Sequence, residues 1–253
     1  MTEVAPSDHL RDVYEQRGGV EYGEPVVPDP ALDRKFAVLT EELRALLPVE
    51  SYLDAGCGDG RYLAALAGLG PLPQRIVGID IAESILDTAR RATAAVGIEP
   101  ELLRANLERL PLDEAEFDVA VSIQVLEHLV DPAAGLRELA RVLKPGGTLL
   151  LSTDNSRNLI TRTLNAPRWA VARLTGKRNS RARFTFPHRS FTRPELGSLM
   201  HDSGLVVDRS RTFRFSVVGA SASVRRTCNR IDRRLPDVGI GDILLVVAHR
   251  RLA

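Results

Sequence analysis

Five short apolar runs constrain what this chain can fold into more than any other feature. They are "ESYLDA", "QRIVGID", "PELLRAN", "FDVAVSI" and "TLLLST". Their cores lack the in-out alternation of a strand with one wet face, so both faces need cover, which suits a parallel sheet between layers of helices. Helical spacing fills the intervals: Asp59 to Leu69, "AESILDTARRATAAV" and "PAAGLRELARVL". A further helix is expected in "PALDRKFAVLTEELRALL", where Leu32, Phe36, Leu39, Leu43, Leu46 and Leu47 recur at helical intervals. The pattern predicts an α/β, Rossmann-like, doubly wound sheet. Residues 1–29, rich in Pro, Gly and acids, read as an irregular arm.

After "TLLLST" the style changes. A basic segment runs from Asn155 to Arg193. A helix "RPELGSLMHDSG", a strand "LVVDRSRTFRF", a basic stretch from Val218 to Leu235 and a strand "GDILLVVAHRR" follow. One domain with a late insertion fits better than two. The expected division is an N-terminal arm and helix over 1–48 and a domain over 49–253, with 155–193 inserted on the acceptor side.

Charge is divided sharply along the chain. Residues 1–150 hold 14 Lys/Arg and 26 Asp/Glu, whereas 151–253 hold 20 and 7. From Asn155 to Pro194 there are ten Lys/Arg and no acid. The two cysteines, Cys57 and Cys228, offer neither a disulfide framework nor a metal-cluster spacing. The polar start "MTEVAPSDHLRD" does not resemble a secretory signal, and a cytoplasmic location is expected.

The loop after the first strand, "LDAGCGDG", narrows the ligand. Its glycines are spaced G-x-G-x-G at Gly56, Gly58 and Gly60, not G-x-G-x-x-G as in dinucleotide sites. Asp54 precedes them and places a carboxylate where a pyrophosphate would otherwise sit. The next strand ends in Asp80, which can accept hydrogen bonds from ribose hydroxyls. A ribose with a cationic tail and no phosphate meets these demands. S-adenosyl-L-methionine, with its sulfonium and ammonium, is such a ligand.

These pieces, with "VGIDIAESILDTAR", "ANLERLPL", "FDVAVSIQVLEHLVDP", "LRELARVLKPGGTLLLST" and "HRSFTRPELGSLMHDSGL", resemble the class I S-adenosylmethionine-dependent methyltransferases of the small-molecule type, and among them the quinone-biosynthesis O-methyltransferases. The resemblance spans roughly residues 50–205. It implies a seven-stranded sheet, mostly parallel, with a reversed last strand, here "GDILLVVAHRR". It implies that Asp54, Gly56 and Gly58 line the methionine end, with Cys57 offering its backbone N–H. Asp80 and the adjoining Ile81 would take the ribose. Asn106, with Leu107, would take the adenine, its amide oxygen accepting from the amino group. Ile123, within the segment Ser122–Gln124, would lie beside the cofactor.

For the chemistry, a base is needed if the acceptor is a hydroxyl, and histidine suits that work. The candidates are His128, in "LEHL", and His188, in "FPHRSF". The quinone-biosynthesis enzymes add an acid three residues before the Glu of the Glu-His pair and can hold a divalent cation. Here that position is Gln124, a poorer ligand for a hard cation, so no metal is expected. The expected reaction is O-methylation of an anionic, glycan or lipid-like small molecule. The alternatives are an RNA or protein methyltransferase that uses the basic insertion, or a cofactor-binding module without catalysis. The insertion reads as an acceptor cover or a contact with an anionic membrane surface, peripheral to the bilayer. No nucleic-acid-binding module is recognisable, which ranks nucleic acid below a small molecule as the partner.

Overall fold

The computed structural model describes residues 10–16, 28–159, 163, 188–213, 221–234 and 236–252. Helix α1 covers residues 10–16. Then follow α2 (Arg34–Leu46), β1 (Ser51–Ala55), α3 (Arg61–Ala65), β2 (Arg75–Asp80), α4 (Glu83–Ala94), β3 (Glu101–Arg104) and β4 (Phe117–Ile123). The chain continues with α5 (Pro132–Val142), β5 (Leu143–Asp154), α6 (Arg193–Asp202), β6 (Leu205–Phe213), α7 (Ala222–Asp232) and β7 (Ile243–Arg250).

The strands form one seven-stranded sheet in the order β3-β2-β1-β4-β5-β7-β6. β7 runs antiparallel to both its neighbours, and the pairings among β1 to β5 are parallel. The expected doubly wound sheet with a reversed last strand is therefore present. Successive strand residues feed opposite faces. Leu53, Val77, Ala120 and Leu149 pack with α5 and α6, whereas Tyr52, Val119, Val121 and Leu150 pack with α2, α3 and α4. This two-sided burial is why the runs showed no polar alternation.

Local signals fix the helix starts. Asp33 accepts from Phe36 N at 3.0 Å to cap α2, and Asp131 caps α5 ahead of Pro132. Thr192 and Glu195 close a reciprocal capping box on α6. α4 begins at Ala82, which has no side-chain cap. Its donors are met from outside: Glu15 of α1 accepts from Glu83 N at 2.8 Å and from Ser84 N at 3.1 Å.

One expectation is corrected. The arm is not wholly irregular, since 10–16 is helical and buries Leu10 and Val13. The signal was the spacing of Leu10, Val13 and Tyr14, masked by the surrounding Pro, Gly and acids. The basic stretch after β6 contains α7, none of whose residues is buried. Most of the insertion over 155–193, expected as an acceptor cover, lies outside the described residues.

Candidate functional site

The sheet order reverses between β1 and β4, and ligands in such folds bind outside the carboxyl ends of the strands at that point. A cavity of about 280 Å³ lies there. Its wall is built from the loops after β1 to β4 and includes Gly56, Cys57, Gly58, Asp80, Ile81, Asn106, Leu107, Ile123 and His128. The structure therefore brings these expected site residues into one wall. Leu10 and Tyr14 of α1 and Lys35 of α2 also line it, and sequence reasoning assigned none of the three to the site.

The glycine loop is shaped by contacts with its neighbours. Gly56 has φ +91°, and a Cβ there would sit 2.2 Å from a methyl of Val125. Gly60 has φ +76°, and a Cβ there would sit 2.8 Å from the Cα of Ala89, so this glycine lets α3 and α4 approach. The loop's amides are largely committed internally. Gly56 N and Cys57 N both donate to Ile79 O, at 2.7 and 2.8 Å. Gly58 N donates to Asp80 Oδ2 at 3.0 Å. The N–H expected from Cys57 is thus spent within the fold. Such a loop is not the row of free donors that cradles a phosphate.

Carboxylates gather instead. Asp54 is 1% exposed and does not line the cavity; it lies behind the wall, with Oδ2 buried and, among the described residues, unpartnered. Burial, then the nearby Asp80 and Asp59, push its carboxyl up to about 8. Burial also raises Asp80 to about 6, against the opposing hydrogen bonds from Ala82, Gly58 and Ile81. Asp59 is neutralised by a two-pronged pairing with Arg61. A buried carboxyl with an unused oxygen holds its proton unless a cation completes it, and a cationic ligand favours the ionised form. The site therefore fits a positively charged ligand without phosphate. Asp80 retains lone pairs for ribose hydroxyls, and Ile81, Leu107 and Ile123 offer apolar surface to a base. Asn106 Oδ1 already accepts from Glu108 N at 2.9 Å, which leaves one lone pair for an adenine amino group.

At the end of β4 the backbone is strained. Gln124 has φ +57°, outside the range most side chains favour. Its Nε2 is buried without a partner among the described residues. The turn after it holds Glu127 and His128. Glu127 is 2% exposed and accepts from Thr153 Oγ1 at 2.9 Å, and burial pushes its carboxyl up to about 8. His128 lies between two rings, 6.1 Å from Tyr14 edge-on and 5.4 Å from His188. His188 is not among the residues that line the cavity; its ring centroid lies 5.4 Å from that of His128, which is. Its Nε2 is 3.1 Å from Asp154 Oδ2. Backbone bonds hold it there: Arg189 N donates to Glu127 O, and Phe191 N donates to Asp154 O, each at 2.9 Å. Asp154 escaped sequence reasoning because a polar residue at a strand end carries no local mark of its partner.

A doubly wound sheet with a phosphate-averse, carboxylate-rich crevice defines a class of nucleoside-binding protein, and the comparisons make it specific. The "Methyltransferase domain" family matches residues 53–151. A ubiquinone biosynthesis O-methyltransferase of Pseudomonas paraeruginosa is 34% identical over 65% of this chain and 68% of its own length. Another, from Hahella chejuensis, is 41% identical over 44% of this chain and 46% of its own. A SAM-dependent methyltransferase structure from Methanosarcina mazei superposes with a TM-score of 0.62 at 22% identity, covering 84% and 98% of the two chains, which supports the fold. The chain belongs to the S-adenosylmethionine-dependent methyltransferase family. It spans about half the length of several of the curated relatives that it matches. The family's cofactor is S-adenosyl-L-methionine, which has the charge and the lack of phosphate that the cavity demands.

Proposed function

We propose that this protein methylates a hydroxyl group of a small, anionic, glycan or lipid-like acceptor, with His188 as the base. The observation that carries the reading is the His188–Asp154 pair, held 5.4 Å from the ring of His128 at the edge of the cavity. When bound, S-adenosyl-L-methionine supplies a sulfonium methyl for in-line displacement by the acceptor oxygen.

The chain's own groups then have distinct work. Asp80 and Asn106 hold the ribose and the base. Asp54, buried beneath the glycine loop, acts on the positive tail only through the wall, as a negative field once the cation draws off its proton. Asp154 engages Nε2 of His188 at 3.1 Å, which orients the ring and leaves Nδ1 to take the acceptor proton. With the proton taken by His188, the acceptor oxygen would form its bond to the methyl carbon as the carbon–sulfur bond breaks and S-adenosylhomocysteine leaves. His128, in the wall, orients the acceptor between Tyr14 and His188. The aliphatic wall and α1 exclude water from the reacting oxygen. Lys35 adds positive charge to the rim, which suits an anionic acceptor.

Incubation with methyl-labelled cofactor and separate small-molecule, lipid and RNA extracts tests the reading. Label is expected in the small-molecule or lipid fraction, and His188→Gln should abolish it while S-adenosylhomocysteine still binds. Label confined to RNA or protein would overturn the proposal.

A further inference from the structure

Helix α7 presents an unusual surface. An isolated surface helix is marginal unless an apolar face packs on the core, yet α7 buries no residue. Its attachments are polar. Asp232 pairs with Arg34 at 2.8 Å, and both side chains are about nine-tenths covered. Asn229 Nδ2 donates to Ala31 O at 3.1 Å. The helix's one acid is therefore used inward, against the start of α2.

The outward side carries two kinds of group. Val224 and Ile231, two turns apart on one side of the helix, are 43% and 45% exposed. Around them Arg225, Arg226, Arg230, Arg233 and Arg234 are all exposed. Among the described residues none of these five has an ion-pair partner, whereas Arg61, Arg75, Arg141, Arg193 and Arg250 each have one.

We infer that α7 is a docking helix for an anionic lipid bilayer and lies flat in the headgroup layer. Charge complementarity selects the partner. Five exposed cations without an ion-pair partner among the described residues call for a dense anionic surface. Two exposed aliphatic side chains beside them select a bilayer over a nucleic acid. A phosphate backbone gives Val224 and Ile231 nothing to bury against, whereas the boundary between headgroups and acyl chains accepts them, and the arginine stems bury alongside. A helix of this length covers about 16 Å, enough for contact in the plane and too short to cross. Indeed, no described helix is long and apolar enough to span a membrane. The placement also matters. α7 is anchored on Arg34, next to Lys35 in the cavity wall, so a docked bilayer would meet the rim of the cavity.

Sedimentation of the full chain with phosphatidylcholine vesicles containing about one third phosphatidylglycerol tests this without any methyl transfer. The wild type should bind these and leave pure phosphatidylcholine unbound. Arg225, Arg226, Arg230 and Arg234 changed together to Gln should weaken partition at least tenfold, from about fivefold per charge near the surface at full strength. Val224→Ser with Ile231→Ser should weaken it several-fold with every charge kept. Unchanged circular dichroism and S-adenosylhomocysteine affinity would show that both variants are folded. Three results would overturn the inference: no vesicle binding, equal binding to neutral vesicles, or binding of RNA that depends on the arginines but not on Val224 and Ile231.

Discussion

The molecule divides into two regions that solve opposite electrostatic problems. The region before β5 is acidic, and its cavity wall comes from consecutive strand ends of one rigid sheet. The region after β5 is basic, and it supplies His188 and the arginines of α7. The acidic half collects carboxylates around a site for a cation. The basic half offers arginine to anionic partners. A net charge of +1 conceals this division, so whole-chain charge is a poor guide to what each half binds.

The division can be broken first at its boundary, where the effect should be largest. Asp154 closes β5 and His188 lies beyond it. His188→Gln should lower kcat by roughly 10²- to 10⁴-fold, the range for loss of a general base, with S-adenosylhomocysteine affinity unchanged. Asp154→Asn should lower kcat by a smaller factor, also without changing cofactor affinity. Calorimetry beside single-turnover kinetics separates the two readouts. Loss of cofactor affinity in either variant would move these residues into the cofactor half.

The acidic half should also show itself in stability against pH. Asp54 and Glu127 have folded values of about 8, raised by burial from ordinary values of 3.8 and 4.5. The folded form therefore keeps protons that the unfolded chain releases. Stability is full below the ordinary values and is lost as pH rises through about 8, at no more than roughly 1.4 kcal/mol per pH unit for each group. The melting temperature of the ligand-free protein should fall between pH 5 and 8, read by scanning calorimetry. Asp54→Asn should flatten the fall, and the cationic cofactor should offset it. A melting temperature that rises over this window would contradict the buried-carboxylate account.

How much of this was legible in the chain follows from how local each signal is. β1, β2 and β4 were readable because burial on both faces leaves continuous apolar runs. The position of Asp80, Gly56 and Gly58 at the cavity was readable because one loop and one strand end carry them. α1 was missed because Leu10, Val13 and Tyr14 sit in a helix short enough for its polar surroundings to dominate the window. α7 was missed for a different reason: its stripe is exposed, and five arginines in a short span read as a solvated basic stretch. Asp54 was readable as an acid near the site, but not as one behind the wall. The pairing of His188 with Asp154 depends on a backbone clip between residues far apart in sequence, which no local pattern encodes.

Smaller effects sharpen the role of α1. Glu15→Ala removes the acceptor for the first amides of α4 and should cost about 1 kcal/mol, as loss of a helix cap does. That corresponds to a melting temperature lower by about 2–4 °C for a chain of this size, with weaker cofactor binding if α1 closes the cavity. Equal melting and affinity in the variant would make α1 a bystander. The smallest expected effect is none: with Gln124 where a third carboxylate would stand, methyl transfer should survive exhaustive chelation. Complete loss on chelation, restored by magnesium, would show Glu127 and His128 recruiting a cation without that acid.

The central claim is that the acidic crevice takes a nucleoside without phosphate. Calorimetric titration of the wild type and Asp80→Ala with S-adenosylhomocysteine, and of the wild type with NAD, tests it most directly. The account predicts saturable binding of S-adenosylhomocysteine, weakened by about 2 kcal/mol when the ribose acceptor is removed, and no heat with NAD. Unchanged affinity in a folded Asp80→Ala protein, or tight binding of NAD, would contradict it.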